Sequence, residues 1–121
     1  MVYGRKSTGG KLKKSRKKKA IEKRRQPRVV ILGPEKKKTI RVRAGKLKTF
    51  LLKTDKVNVM DTKTHKAKVV KIKNVLEVPS NVFLARKNVL VKGTIIDTEL
   101  GKAKITSRPG QEAHLQAILI K

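Results

Sequence analysis

A small six- to eight-stranded β-barrel with a disordered basic N-terminal extension is the fold this sequence predicts. Three observations lead there. Residues 1–26 hold 12 Lys or Arg against one acid, Glu22, and their few apolar side chains are scattered. Such a segment cannot bury enough surface to offset its own ordering entropy. From Pro27 onward the apolar residues instead recur with period two, the spacing of strands that have one face buried. Turn signals then interrupt the pattern about every 8–12 residues, as in an all-β sandwich or barrel. A body covering residues 27–121 has little material for two well-filled sheets. Closure into a barrel is the more economical arrangement, because it removes unpaired edges. The chain therefore divides into a tail, 1–26, and a β domain, 27–121.

Within the tail, Thr8-Gly9-Gly10-Lys11 could bring backbone N–H groups close to a phosphate, since glycine has no Cβ in the way. The GxxxxGK[ST] spacing of a P-loop is absent, and taken alone the glycine pair also reads as a flexible linker. Ser15 to Lys23 could become helical once its charges are neutralised, with Ser15 as the N-cap. In the body, Arg28 to Leu32 is a short strand and Gly33-Pro34-Glu35 a turn. Lys36 to Ala44 places Ile40 and Val42 inward and Thr39, Arg41 and Arg43 outward. Leu47 to Lys53 and Val57 to Asp61 are the next strands; Phe50-Leu51-Leu52 leaves the phase of the first one open. Ala67 to Val78 is the longest strand. Its phase slips at Val69-Val70, which calls for a β-bulge there. Pro79 ends it, having no N–H to give to a ladder. Ser80 to Asn88 is the one helical turn of the body, with Val82, Phe83 and Arg86 at helical spacing. Val89 to Val91 leads into the C-terminal hairpin.

That hairpin organises the chain. Thr94 to Leu100 is rich in β-branched residues. Gly101 supplies a reversal. Lys102 to Ser107 sends Ala103, Ile105 and Ser107 one way and Lys102, Lys104 and Thr106 the other. Arg108-Pro109-Gly110-Gln111 has the Pro-Gly order of a type II turn, which would put Gly110 at positive φ. His114 to Ile120 is the last strand.

Thr98 to Ala103, Ser107 to Gln111, and at the other end Arg5 to Gly10 with Arg16 to Lys19 and Glu22, resemble the signatures of the archaeal and eukaryotic small-subunit ribosomal protein family S eight e, at an archaeal length. The two matches bracket nearly the whole chain. One departure is Lys23-Arg24 after Glu22, where the family usually continues with Leu-Gly or similar. The resemblance implies a compact β-barrel with a basic extension. It also implies a cytoplasmic, structural role in the small ribosomal subunit, as a monomer among neighbouring small-subunit proteins on small-subunit rRNA.

Charge points the same way. The net charge is +26, where small soluble domains do well at roughly 2–8. Such an excess repels itself unless a polyanion neutralises it, and the basic footprint of a nucleic-acid binder fits better than a membrane surface. There is no cysteine, hence no disulfide framework or thiolate metal site. Arg5 onward lacks the apolar core of a signal peptide. Apolar runs of about four residues fall far short of the roughly 20 that span a bilayer. His65 and His114 are isolated and make no metal pattern, so no cofactor or metal is expected. Asp97 and Glu99 share a strand face, but they answer Lys102 and Lys104 more simply than they form a catalytic pair, and no enzymatic role is assigned. With only Tyr3, Phe50 and Phe83 as aromatics, the chain lacks the row on which readers of single strands stack bases. Phosphate and shape contacts to a folded RNA remain. The candidate RNA contacts are Arg5, Lys6, Thr8, Gly9, Gly10, Lys11, Lys13, Lys14, Arg16, Lys17, Lys18, Lys19, Arg24 and Arg25 in the tail, and Arg41, Arg43, Arg86, Lys87, Lys92, Lys102 and Arg108 in the body. A ribosome-assembly factor or a chromatin-like protein is the alternative reading.

Overall fold

The computed structural model describes residues 4–12, 16–23 and 26–120. The described strands are β1 (Val30–Leu32), β2 (Lys36–Arg41), β3 (Leu47–Thr54), β4 (Lys56–Met60), β5 (Ala67–Glu77), β6 (Val89–Leu90), β7 (Ile95–Thr98), β8 (Gly101–Ile105) and β9 (Gln116–Leu119). The body is all-β and contains a closed barrel, as the sequence predicts. The strands divide: β4-β5-β7-β8-β9 close the barrel, and β2-β3-β1-β6 form a separate four-stranded sheet. The barrel proper therefore has five strands, where the sequence predicts six to eight, and the other four described strands lie outside it. Closure comes from a parallel pairing of β9 with β4, Asn58 opposite Gln116 and Met60 opposite Ile118.

Alternation builds the core. Val57 and Val59 on β4, Ile96 on β7, Ala103 and Ile105 on β8 and Ala117 on β9 are all buried, and Val30, Leu51, Val78 and Leu90 join the same cluster from outside the barrel strands. The inward set Ala103, Ile105 and Ser107 is as the sequence pattern gives it. The buried polar side chains are satisfied locally. Thr98 donates to the Gly101 carbonyl at 2.7 Å, Thr94 Oγ1 accepts from Val91 N at 3.1 Å, and Ser107 Oγ accepts from Gln116 N at 3.0 Å. Among the described residues no buried side-chain N or O atom lacks a partner, so these groups avoid the penalty of burial without hydrogen bonds.

Several local expectations are corrected. Pairing of β4 with β5 runs through Val69 and Val70 without interruption, so there is no bulge there. The register shifts instead against β7, between Ile72 and Asn74 and between Val75 and Glu77. Val69 simply points outward, 66% exposed, and the change of phase falls between the buried Ile72 and Val75. The second strand ends at Arg41, and Val42 stays 37% exposed. Ala44 (φ 58°) and Gly45 (φ 70°) turn the chain back immediately afterwards. Val82–Lys87 is a 3-10 turn capped by Asn81, whose Oδ1 accepts from Phe83 N at 3.0 Å. It packs Leu84 and Ala85 against the core and leaves Val82 and Phe83 more than 70% exposed.

The turn at Arg108 is not type II. Gly110 is absent from the positive-φ glycines, and Gln111 N and Glu112 N both donate to the Arg108 carbonyl, at 2.8 and 3.0 Å. What this glycine provides is room. A Cβ at Gly110 would lie 3.3 Å from the Arg28 carbonyl oxygen. The turn sits against the flank of β3, where Leu51 N donates to the carbonyls of Pro109 and Glu112 at 3.1 and 3.2 Å. Just beyond, β1 runs parallel to β3 at Lys53 and Thr54, so the barrel's turn extends the edge that β1 leaves open. Gly110→Val should therefore lower stability by about 1–3 kcal/mol through overpacking, and Gly110→Ala by clearly less. Chemical denaturation of the three proteins checks the order; equal losses for Ala and Val would point to backbone strain instead.

Arg28 fastens the same joint. Its guanidinium lies 3.7 Å from the centroid of the buried Phe50 ring and donates to the Gly110 carbonyl at 3.3 Å. A cation held over an aromatic face is worth about 0.5–2 kcal/mol, more as it is desolvated. Arg28→Ala should cost about 1–2 kcal/mol on that basis. A melting curve equal to wild type would show that the stacked cation holds nothing together.

Candidate nucleic-acid interface

The described tail residues are exposed from Gly4 to Lys23. Arg5 and Lys11 bridge as an antiparallel pair, closed by Lys6 N donating to Gly10 O at 2.8 Å and Gly9 N to Lys6 O at 2.9 Å. Gly9 takes φ 76° at the tip, a conformation that glycine adopts without a Cβ penalty. The Arg5 guanidinium reaches back to the Gly9 carbonyl at 3.1 Å. Lys6, Thr8, Gly10 and Lys11 thus stand on a small defined loop. Further along, Glu22 holds Arg16 at 2.9 Å and accepts from Lys19 N at 3.0 Å. Glutamate reaching back to the N–H three residues earlier is half of a capping box, and Glu22 N and Lys23 N both donate to the Lys19 carbonyl. A single turn begins there, with Lys17, Lys18 and Lys19 exposed. Lys13, Lys14, Arg24 and Arg25, and the cap expected at Ser15, lie outside the described residues.

In the body, Arg41 ends β2 and Arg43 opens the exposed turn that leads to β3. Arg86 and Lys87 occupy the last turn of the 3-10 segment, which Asn88 closes at φ 51°. Lys102 stands exposed on β8, opposite Asp97. Lys92 and Arg108 are brought together: with Arg28 they line a groove of about 380 Å³ bounded also by Pro27, Ser80, Leu90, Val91, Pro109, Gly110 and Gln111.

Two features escape sequence reasoning. One is Arg28, although its place just after Pro27, where composition changes, marks it as the root of the tail. The other is the β2–β3 hairpin. Residues 36–53 hold eight Lys or Arg and no acid, whereas alternation picks out only Arg41 and Arg43 as outward cations. Lys36 faces Lys53 directly across the ladder. Like charges in register are unfavourable, so this sheet edge gains from any polyanion laid on it. One lysine is already compensated: Lys37 pairs with Glu35 at 2.6 Å, and its hydrogen bond and charge hold that carboxyl below its ordinary range.

Among the described residues no group of three or more His, Cys, Asp or Glu side chains could hold a metal, and no helix is long and apolar enough to cross a membrane. The surface carries separate cationic clusters on strands and turns, suited to backbone phosphates at several points.

The comparisons with known proteins agree with the sequence signatures at both ends. The family model "Ribosomal protein S8e" matches residues 3–120. The chain is 44% identical over 116 residues to "Small ribosomal subunit protein eS8" of Methanocella arvoryzae, covering 96% of this chain and 93% of that one. The protein of the same name from Methanocorpusculum labreanum is 47% identical over 117 residues, covering 97% and 94%. That from Methanococcus aeolicus is 47% identical over 117 residues, covering 96% and 91%. These relatives are named as ribosomal proteins, not enzymes. With the tail, the hairpin and the Arg108 turn all inside the matched span, the chain belongs to the ribosomal protein S8e family.

Proposed function

We propose that this chain is a cytoplasmic structural component of the small ribosomal subunit that binds and stabilises folded rRNA through phosphate and shape contacts. Residues 1–26 act as the rRNA-binding tail and residues 27–121 as the body that positions them, a monomer among other small-subunit proteins. The observation that carries this is the net charge of +26 set on a structure whose cations are exposed in clusters. Ion pairing within the chain can account for little of it, with 8 acids against 34 Lys and Arg; Arg16–Glu22 and Lys37–Glu35 are two such pairs. Arginine suits the task because its planar fork can grip a phosphate with two donors. The names of the relatives support the ribosomal setting.

Arg108→Glu tests the reading at one point. Arg108 is exposed, and exposed charges add little to stability. The turn's hydrogen bonds use its carbonyl, not its side chain. Melting should stay near wild type, while affinity for a small-subunit rRNA transcript should fall about tenfold, because a charge-assisted hydrogen bond to phosphate is replaced by a repulsion. A variant that melts early but binds normally once folded would place this turn away from RNA.

A further inference from the structure

We infer that the groove at the root of the tail is a pocket for one unpaired RNA nucleotide, its base lying on the apolar floor and its phosphate held by Lys92 and Arg108. This rests on the rRNA-binding reading and adds a specific site to it. The sequence, lacking an aromatic row, points only to phosphate and shape contacts; the groove supplies a different means of holding a base. Its volume of about 380 Å³ lies at the low end for ligand sites, which run from roughly 300 to 1,000 Å³. That is room for one base with its ribose, not for a base pair. Pro27, exposed, and Val91, half-buried, furnish apolar surface over the buried Leu90 and Pro109, and extruded bases are held against apolar as well as aromatic side chains.

The polar groups of the groove match that ligand. Lys92 and Arg108 are exposed at it, and Arg28 contributes a third cation already fixed by Phe50 and the Gly110 carbonyl. No acidic side chain is among the described residues that line it, so nothing there repels a phosphate. Gln111 lines the same groove, and its Oε1 accepts from Lys48 Nζ. A lysine can only donate, which fixes the amide orientation and leaves the Gln111 NH₂ as a donor for an acceptor on the base edge. Ser80 adds a hydroxyl. Recognition of single RNA bases generally combines such an edge contact with a packed face. An acidic loop of a neighbouring protein would satisfy the cations but would leave the apolar floor and the amide donor without a role.

The test uses the whole chain, isotope-labelled, titrated separately with 5′-UMP, 5′-AMP and inorganic phosphate. The nucleotides should shift the amide signals of Leu90, Val91 and Gln111, and phosphate should shift only those near Lys92 and Arg108. Ser80→Trp fills the groove without changing charge. It should weaken nucleotide binding about tenfold or more and reduce affinity for a small-subunit rRNA transcript by a similar factor, the contribution of about one held base, with the dispersed spectrum of the folded body retained. Nucleotides that shift nothing beyond what phosphate shifts overturn the pocket, as does a folded Ser80→Trp protein that binds the transcript as tightly as wild type, whether a neighbouring protein's loop or nothing fills the groove. If the transcript still binds the wild-type chain in either case, the broader rRNA reading stands and only the pocket falls. A wild-type chain that fails to bind the transcript removes both.

Discussion

Raising salt from 50 to 200 mM is expected to weaken binding to small-subunit rRNA by roughly 10³–10⁵. That is the effect for a protein that neutralises about 6–10 phosphates, because binding at each phosphate releases condensed counterions whose return salt favours. The chain has far more cations than this requires, 34 Lys and Arg, and among the described residues they stand on the tail loop, the β2–β3 hairpin, the 3-10 turn, the groove and the outer faces of β5 and β8. Not all can touch RNA together. The number of phosphates neutralised is read from the slope of log affinity against log salt, which should be steep and linear. A flat titration would mean that apolar or base interactions dominate, and the reading of this surface as a phosphate grip would be wrong.

Removing residues 1–26 should leave the body folded and reduce rRNA affinity by roughly a hundredfold or more at physiological salt, with the salt slope falling by about 0.7–0.9 for each phosphate the shortened chain no longer neutralises. The deletion takes away 12 of 34 basic residues. Yet the hydrophobic cluster contains nothing before Val30, and the described tail residues are all exposed. Arg28, which fastens the turn at Gly110, stays in the shortened chain. Melting temperature and salt slope together decide the matter. A truncated protein that unfolds would make the tail part of the body's support; one that keeps the full slope would place the RNA-binding cations elsewhere.

Legibility in the sequence tracked how local the cause was. The hairpin around Gly101 could be read because alternation and a turn glycine settle it within a dozen residues, and Gly101 does take φ 117°. Val69 misled because β-branched residues favour a pleated backbone on either face, so an apolar letter did not mean an inward side chain. The Pro109-Gly110 pair suggested positive φ, but the glycine answers to a residue 82 positions away in the chain, a distance no local pattern reports. Phe50 under Arg28 is hidden for the same reason. Of the site, the basic character was plain and the selection was not. Exposed lysines carry no mark of which ones a folded RNA will meet, while Arg28, Lys92 and Arg108 become a group only when the groove has formed.

The way the barrel closes bears on how the protein is made. β4 needs β9 as its neighbour, and Leu51 on β3 hands its amide to carbonyls at Pro109 and Glu112. The barrel cannot close, nor the edge of β3 find its turn, until those residues have left the exit tunnel of the ribosome that translates them. Pairings so distant along the chain form slowly, since a long loop must close before they reward it. During synthesis the emerging polypeptide is thus a long polycation without a finished core, most of whose charge appears before its fold does. The barrel therefore closes in a single late step, when the last strand arrives beside a fourth strand made about 60 residues earlier.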